Sequence, residues 1–95
     1  MGSRARWKGL ILFALDEGPL RFGALRREVA GVSERVLILQ VRELESRGLV
    51  HREAYHEVPP KVEYSLTGFG RSLLAAMEPL GTWGEENMER IEALP

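Results

Sequence analysis

The segment from Gly31 to Val50 constrains the fold more than any other stretch, because it holds the start, body and end of one amphipathic helix. Ser33 is a residue type that caps helix N-termini, and Gly48 is a typical helix stop. At about 100° per residue, one group of apolar side chains falls on a single side of this helix. That buried seam comprises Leu37, Val41 and Leu44. We therefore predict a helix over residues 33–47.

The opposite side of this helix mixes arginine with bare hydrocarbon. It carries Arg35, Leu39, Arg42 and Ser46, with Ile38 at its flank. A water-facing helix side is usually polar, so the position of Leu39 and Ile38 indicates either a binding face or packing against another element. Packing rules alone leave both interpretations open.

A shorter helix comes just before this one. Phe22, Leu25 and Val29 lie on one face of a predicted helix over about residues 22–29. A tight break follows, in which Gly31 supplies the backbone freedom needed after a helix end. Two helices joined by a three- or four-residue turn containing glycine match the helix-turn-helix signature.

After Gly48 the apolar period changes from helical to alternating, which predicts two strands, Val50–Tyr55 and Val62–Leu66. Prolines cannot donate ladder hydrogen bonds, so we place Pro59 and Pro60 in the tip of the hairpin between them. The alternating segment 20–22 is too short to stand alone and is expected to add one rung to this sheet.

Helical patterns occupy both ends of the chain. We predict a first helix over about residues 4–17, capped by Ser3 and ended near Gly18-Pro19. Thr67 is expected to cap a fourth helix, which Pro79 kinks or breaks. The apolar stripe of that helix comprises Phe69, Leu73, Leu74 and Met77. The fold class is therefore mainly α with a small β-hairpin, in the order α-β-α-α-β-β-α(-α), as one domain over residues 1–95.

The composition is typical of a soluble globular protein, with 44% hydrophobic and 28% charged residues. No apolar run reaches the roughly 18 residues of a membrane-spanning helix, so we expect a cytoplasmic protein without a membrane partner. The absence of cysteine excludes disulfides and thiolate sites. The net charge of −1 is unevenly distributed along the chain. Residues 1–61 contain 11 Lys and Arg and 8 Asp and Glu, whereas residues 62–95 contain 2 Lys and Arg and 6 Asp and Glu, so the N-terminal part is basic. This asymmetry is a weak sign of a side that faces a polyanion.

Three groups of residues could carry chemistry, and a structural interpretation is favoured for each. His51 lies on the predicted strand and His56 directly follows it; five residues apart in an extended segment they face opposite sides, which disfavours a metal site. The acids between Glu85 and Glu92 follow the spacing of a solvated helix face. Trp7 and Trp83 fit a core or a dimer interface better than a ligand cage. We therefore expect no enzyme activity, no metal and no cofactor.

Several short motifs stand along the chain: Arg6-Trp7-Lys8, Arg21-Phe22-x-x-Leu25-Arg26-Arg27, Ser33-x-Arg35-x-Leu37, Arg42-Glu43-Leu44-Glu45, Gly48-Leu49-Val50, Val58-Pro59-Pro60-x-Val62-Glu63-Tyr64 and Leu66-Thr67-x-x-Gly70-x-x-Leu73. In this order they resemble the motifs of HxlR-type winged helix-turn-helix transcriptional regulators, relatives of the MarR group. The resemblance covers roughly residues 6–84. Its most specific part is the motif from Val58 to Tyr64, which lies in the wing, the β-hairpin of these proteins.

This resemblance implies a homodimer that binds a pseudo-palindromic operator in double-stranded DNA. The third helix (33–47) would enter the major groove, and the wing (55–62) would touch the backbone or the minor groove. The N-terminal helix (about 4–17) and the C-terminal helices (about 68–94) would form the dimer. The expected dimer contacts are Trp7, Leu10, Leu80, Trp83, Met88, Ile91 and Leu94.

The sequence departs from the family pattern at two points. Many members carry a cysteine shortly before the tryptophan-containing segment, and this chain has none, so thiol sensing does not carry over. The family often has a polar residue, commonly threonine, at the position of Ile38. For some relatives the resemblance also suggests a small-molecule effector, of unknown identity here, bound between the dimer-forming layers.

The expected DNA contacts are Ser33, Glu34, Arg35, Ile38, Leu39, Gln40, Arg42, Arg26 and Lys61. Arg35 suits a guanine edge or a phosphate, and Leu39 and Ile38 suit thymine methyl groups. Arg42 could equally pair with Glu45 or Ser46 along the helix, and Lys61 could equally be an ordinary solvated lysine.

The alternative function is a winged-helix module that binds protein and not DNA. The sequence pI of about 6.1 and the hydrocarbon on the third helix favour this alternative. Binding that depends steeply on salt would favour DNA, since phosphate contacts release counterions.

Overall fold

In a computed structural model, residues 3–95 are described, with side chains from Trp7 onward. Within this range the elements are α1 (Ser3–Ala14), β1 (Leu20–Arg21), α2 (Phe22–Glu28), α3 (Glu34–Ser46), β2 (Val50–Tyr55), β3 (Lys61–Leu66), α4 (Gly68–Glu86) and α5 (Met88–Glu92). The predicted fold class and element order are confirmed. No helix in the described range combines the length and the apolar character needed to cross a bilayer.

Helix α3 begins and ends where the sequence signals predict. The Ser33 hydroxyl accepts a hydrogen bond from the Val36 amide at 3.2 Å, which satisfies one free amide of the first turn. After the last turn, Gly48 adopts a φ of +78°, a value that favours glycine. The predicted inward seam is buried: Leu37, Val41 and Leu44 are each at most 2% exposed.

The three strands form one antiparallel sheet in the order β1-β3-β2. Strands β2 and β3 are the predicted hairpin, the wing, with Val50 opposite Leu66 at its base and Tyr55 opposite Lys61 near its tip. Pro59 and Pro60 lie outside the ladder, as predicted. The expected rung is β1, where Leu20 pairs with Tyr64. The sheet therefore closes one side of the core formed by α1, α2 and α3.

A contact at the start of α4 ties three elements together. The Thr67 hydroxyl accepts from the Gly70 amide at 2.9 Å, which confirms the predicted cap, and it donates to the Gly48 carbonyl at 2.6 Å. The Thr67 amide donates to the Leu49 carbonyl at 3.2 Å. A Cβ atom at Gly70 would overlap that same carbonyl oxygen. The end of α3, the base of the wing and the start of α4 are thus held at one point, which we call the α3–α4 junction.

Three predictions about the terminal helices need correction. Helix α1 ends at Ala14, not at residue 16 or 17, because the amide of Asp16 bonds to the Phe13 carbonyl in a tighter turn. Helix α4 continues through Pro79 to Glu86, so Pro79 does not break it, although a proline inside a helix removes one N–H donor and crowds the carbonyl four residues before it. In the predicted α4 stripe only Leu74 is buried, and Phe69 and Leu73 are exposed. The expected cap side chain at Ser3 lies outside the described part.

We predict that Gly70→Ala destabilises the fold, because the added methyl group would push against the Leu49 backbone. Overpacking of this kind costs about 1–3 kcal/mol, so the melting temperature should fall by several degrees. Gly68→Ala is the matched control in the same helical turn, where an added Cβ meets nothing within 4 Å. Thermal denaturation followed by circular dichroism compares the two. Equal melting temperatures would contradict the close approach at the α3–α4 junction.

Candidate nucleic-acid interface

The outward side of α3 is bare over most of its length. Arg35 and Arg42 are exposed, Leu39 is 49% exposed, and Ile38 is half-buried. Together with Glu34, these four residues line a shallow cleft of about 460 Å³. We call this cleft the α3 face. The exposure predicted for Leu39 is confirmed, and neither the wing nor α2 covers it.

A second, larger groove lies between α3 and the wing. It has a volume of about 600 Å³ and is lined by Phe22, Glu34, Ile38, Arg42, Glu45, Arg52, Val62 and Tyr64. We call it the α3–wing groove. Ile38 and Arg42 belong to both surfaces, so the groove continues directly from the α3 face.

The arginines of these surfaces are not used in structural ion pairs. Within the described residues, Arg35, Arg42 and Arg52 have no hydrogen-bond or ion-pair partner. The intrahelical alternative for Arg42 is not formed, since the Ser46 hydroxyl donates to the Glu43 carbonyl at 2.9 Å instead. A guanidinium group without an acidic partner keeps all five donors available for an anion or a base edge.

Two other predicted cations have acidic neighbours. Arg26 lies 3.4 Å from the Glu34 carboxylate, and both side chains are exposed. The Lys61 ammonium lies 4.6 Å from the centre of the Tyr55 ring and 3.8 Å from a Glu63 oxygen. Lys61 is therefore held on the outer face of the wing and is not the simple solvated lysine of the alternative interpretation.

Gln40 was expected to flank the DNA contact, and this expectation is wrong. Its side chain is only 3% exposed, and its Oε1 accepts a hydrogen bond from Lys8 Nζ at 2.7 Å. Lys8 also lies 2.7 Å from the Glu43 carboxylate, so α1 covers this side of α3. The reason is angular: at about 100° per residue, position 40 falls on the inward side with Leu37.

Sequence reasoning missed Arg52 and Tyr64, which face each other across the wing and line the α3–wing groove. A signal was present. Residues 50, 52 and 54 of a strand share one face, and Val50 is the buried member of that set. Arg52 therefore had to point toward α3, at the place where the core ends and the groove begins.

The structure, over its described residues, brings neither histidine into a cluster of metal-binding side chains. His51 Nε2 lies 2.8 Å from a Glu53 carboxylate oxygen on the outer face of the wing, and no cluster of three metal-binding side chains occurs in the described range. Desolvation, followed by the charge of Glu63, raises the pKa of the Tyr55 phenol above its usual value.

A separate apolar surface lies on the C-terminal helices. Leu80 is 67% exposed and Trp83 55% exposed, while Ile91 is half-buried. We call the set Leu80, Trp83, Met88, Ile91 and Leu94 the C-terminal apolar surface. On α1, Leu10 is exposed, but Trp7 is half-buried and packs against the core. The predicted dimer residues are therefore mostly, though not uniformly, accessible.

Comparison with known proteins assigns the family. Residues 3–92 match the model of the HxlR-like helix-turn-helix family. The chain is 48% identical over 88 residues to YybR, an HTH-type transcriptional regulator of Bacillus subtilis (strain 168). The matched segment covers 93% of this chain and 70% of YybR.

Two solved structures resemble the fold closely. The redox regulator HypR in its reduced form matches with a TM-score of 0.84 and 48% identity, covering 93% of this chain and 87% of that one. A transcriptional regulator of the MarR family from Enterococcus faecalis V583 matches with a TM-score of 0.82 and 40% identity, covering 98% and 86%.

These findings confirm the winged-helix fold and the prediction of a DNA-binding transcriptional regulator. They also confirm that the chain is not an enzyme, because the family and these relatives are regulators. With nearly its whole described length matched, the chain belongs to the HxlR-like helix-turn-helix family.

Proposed function

We propose that the chain acts as a homodimer on a pseudo-palindromic operator, with α3 of each subunit in the major groove of one half-site. The observation that carries this proposal is the α3 face: arginines without acidic partners stand beside exposed hydrocarbon. The major groove offers the complementary pattern, because guanine presents two acceptors and thymine presents a methyl group. The folded domain leaves this helix side open to a partner.

Residues on and beside the α3 face have distinct roles in this proposal. Arg35, in the first turn, would pair with guanine O6 and N7 or with a phosphate. Leu39 and Ile38 would lie against thymine methyl groups. Ser33 and the free amides of the helix N-terminus would receive a phosphate. Arg26 and Glu34 would flank this contact as an exposed pair 3.4 Å apart.

The C-terminal apolar surface supports the homodimer. Exposed Leu80 and Trp83 have no place in the core of one subunit, and a contiguous apolar patch of this kind marks an interaction surface. A two-fold dimer would set the two α3 helices about 34 Å apart, so that half-sites lie about 10 bp apart. Lys61, near the tip of the wing, would contact the DNA backbone. The protein would act in the cytoplasm.

A small-molecule effector is a further part of the proposal. HypR, a structural relative, is a redox regulator with a reduced and an oxidised form. The 95 residues here contain no cysteine. An effector that binds between the dimer-forming layers would act without thiol chemistry in this segment.

One observation favours the alternative, a module that binds protein. Leu39, at 49% exposure, would also suit an apolar partner. The salt dependence of binding distinguishes the two functions. Affinity for DNA falls more steeply with salt for each phosphate that the protein neutralises, whereas apolar contacts with a protein add no such dependence.

We predict that Arg35→Ala weakens binding to a duplex selected from a random library on the purified protein. Loss of a bidentate base contact should lower affinity by about 5- to 150-fold, equivalent to about 1–3 kcal/mol. Fluorescence anisotropy at several salt concentrations measures the effect. Arg47→Ala, at the other end of α3, is the matched control and should bind like the parent. If Arg35→Ala bound as tightly as Arg47→Ala, α3 would not be the reading element.

A second prediction concerns the dimer. Replacing Leu80 and Trp83 together by aspartate should give a folded monomer, because both side chains are largely exposed in one subunit. Light scattering measures the mass, and circular dichroism checks the helix content. Val58→Asp, at the fully exposed tip of the wing, is the control and should leave the mass unchanged. A Leu80→Asp/Trp83→Asp variant with the mass of a dimer would rule out this surface.

A further inference from the structure

The α3–wing groove is the one feature of the described surface in which an arginine from α3 and an arginine from the wing face the same space. Arg42 stands on the α3 wall and Arg52 on the wing wall. Neither has a hydrogen-bond or ion-pair partner among the described residues. Phe22, Val62 and Tyr64 also line the groove, so its wall combines apolar and charged side chains.

The rest of the wing is poorly suited to a polyanion. On its outer face Glu53 stands directly opposite Glu63, and residues opposite each other in a ladder share one face. His51 pairs with Glu53, and Lys61 lies near Glu63. Over the described wing, Arg52 is thus the one lysine or arginine without an acidic partner. Any attraction of the wing for phosphate must come mainly from its inner face.

The geometry of duplex DNA defines what would occupy this groove. The major groove and the minor groove next to it are separated by a single sugar-phosphate strand. A protein that places α3 in one and its wing at the other must therefore receive that strand between them. In this chain the space between them is the α3–wing groove.

We propose that Arg42 and Arg52 together hold one phosphodiester of this intervening strand in each half-site. This inference rests on the proposed function and adds to it the residue pair that fixes the wing on the backbone. Two guanidinium groups on opposite walls can each donate to a phosphate oxygen, and guanidinium–phosphate geometry is well matched. The contact carries no base information, so it sets the register of the domain on the duplex.

The carboxylates of the groove limit what it binds. Glu34 and Glu45 also line it, so that its formal charge is zero, and Glu34 is partly compensated by Arg26 at 3.4 Å. A neutral groove has little attraction for free anions. The phosphodiester is held because the bound duplex presents it there, and inorganic phosphate should compete poorly.

The test combines a protein change with a DNA change. In the duplex selected above, each phosphate is replaced in turn, at the equivalent position of both half-sites, by an uncharged methylphosphonate, and binding is measured for the parent, Arg52→Gln and the control Arg47→Gln. We expect one linkage whose neutralisation weakens the parent about 5- to 10-fold. Arg52→Gln should weaken binding similarly and should be less sensitive to that replacement than the parent, because only Arg42 still contacts the phosphate, whereas Arg47→Gln should behave like the parent.

Salt and competitor measurements complete the test. Arg52→Gln should lower the steepness of log affinity against log salt by up to about 0.9 for each half-site, since Arg42 still contacts the phosphate. Inorganic phosphate at constant ionic strength should not displace the duplex. Circular dichroism of Arg52→Gln should match the parent, because the side chain is exposed.

The possible failures are distinct. If Arg52→Gln and the methylphosphonate weaken binding independently, or if Arg52→Gln binds like Arg47→Gln, the phosphate clamp is overturned while DNA binding stands. Displacement by inorganic phosphate would overturn it in favour of a free-anion site. If no duplex binds at all, the proposed function and this inference fall together.

Discussion

The burial of Leu37, Val41 and Leu44 fixes the rotation of α3 about its own axis, and every functional feature of the domain depends on that rotation. With the seam directed at the core, Leu39 must face outward. Rotating α3 about its axis by one residue, about 100°, would expose the buried aliphatic side chains, at a free-energy cost of about 25 cal/mol per Å² of apolar surface. It would also bury a guanidinium group without a partner. The helix therefore has one stable orientation.

Two polar contacts reinforce this orientation from different sides. Lys8 on α1 binds both Gln40 and the Glu43 carboxylate at 2.7 Å, on the covered flank of α3. Thr67 holds the Gly48 carbonyl at 2.6 Å, at the end of the helix. These contacts involve only one flank and one end of α3, so they leave the opposite side free for a duplex.

Charge is distributed in keeping with this arrangement. The acids in excess after residue 61 include a group from Glu85 to Glu92 on the C-terminal helices, alongside the C-terminal apolar surface. The arginines without partners on α3 and the wing line surfaces elsewhere on the domain. A near-neutral protein can thus present arginines without acidic partners to DNA, since attraction depends on the local distribution of charge more than on its sum.

Periodicity and caps predicted most of the fold, and the errors share a physical cause. The α3 seam, the hairpin and the Thr67 cap depend on local patterns that the sequence contains. The inward angle of Gln40 follows from the period of α3, but its contact with Lys8 depended on where α1 packs, and the exposure of Phe69 depended on how little of α4 meets the core. Arg52 was recoverable from strand alternation, but its significance required knowing that α3 forms the facing wall. Local sequence patterns do not determine which helices and strands pack against each other.

The orientation of α3 on DNA can be measured directly by intermolecular nuclear Overhauser effects in a complex of methyl-labelled protein with the selected duplex. The methyl groups of Leu39 should give cross-peaks to thymine methyl protons in the major groove, whereas those of Leu37 and Val41 should give none. Cross-peaks from Leu37 or Val41, or a bound complex in which Leu39 shows no contact with the duplex, would contradict the account.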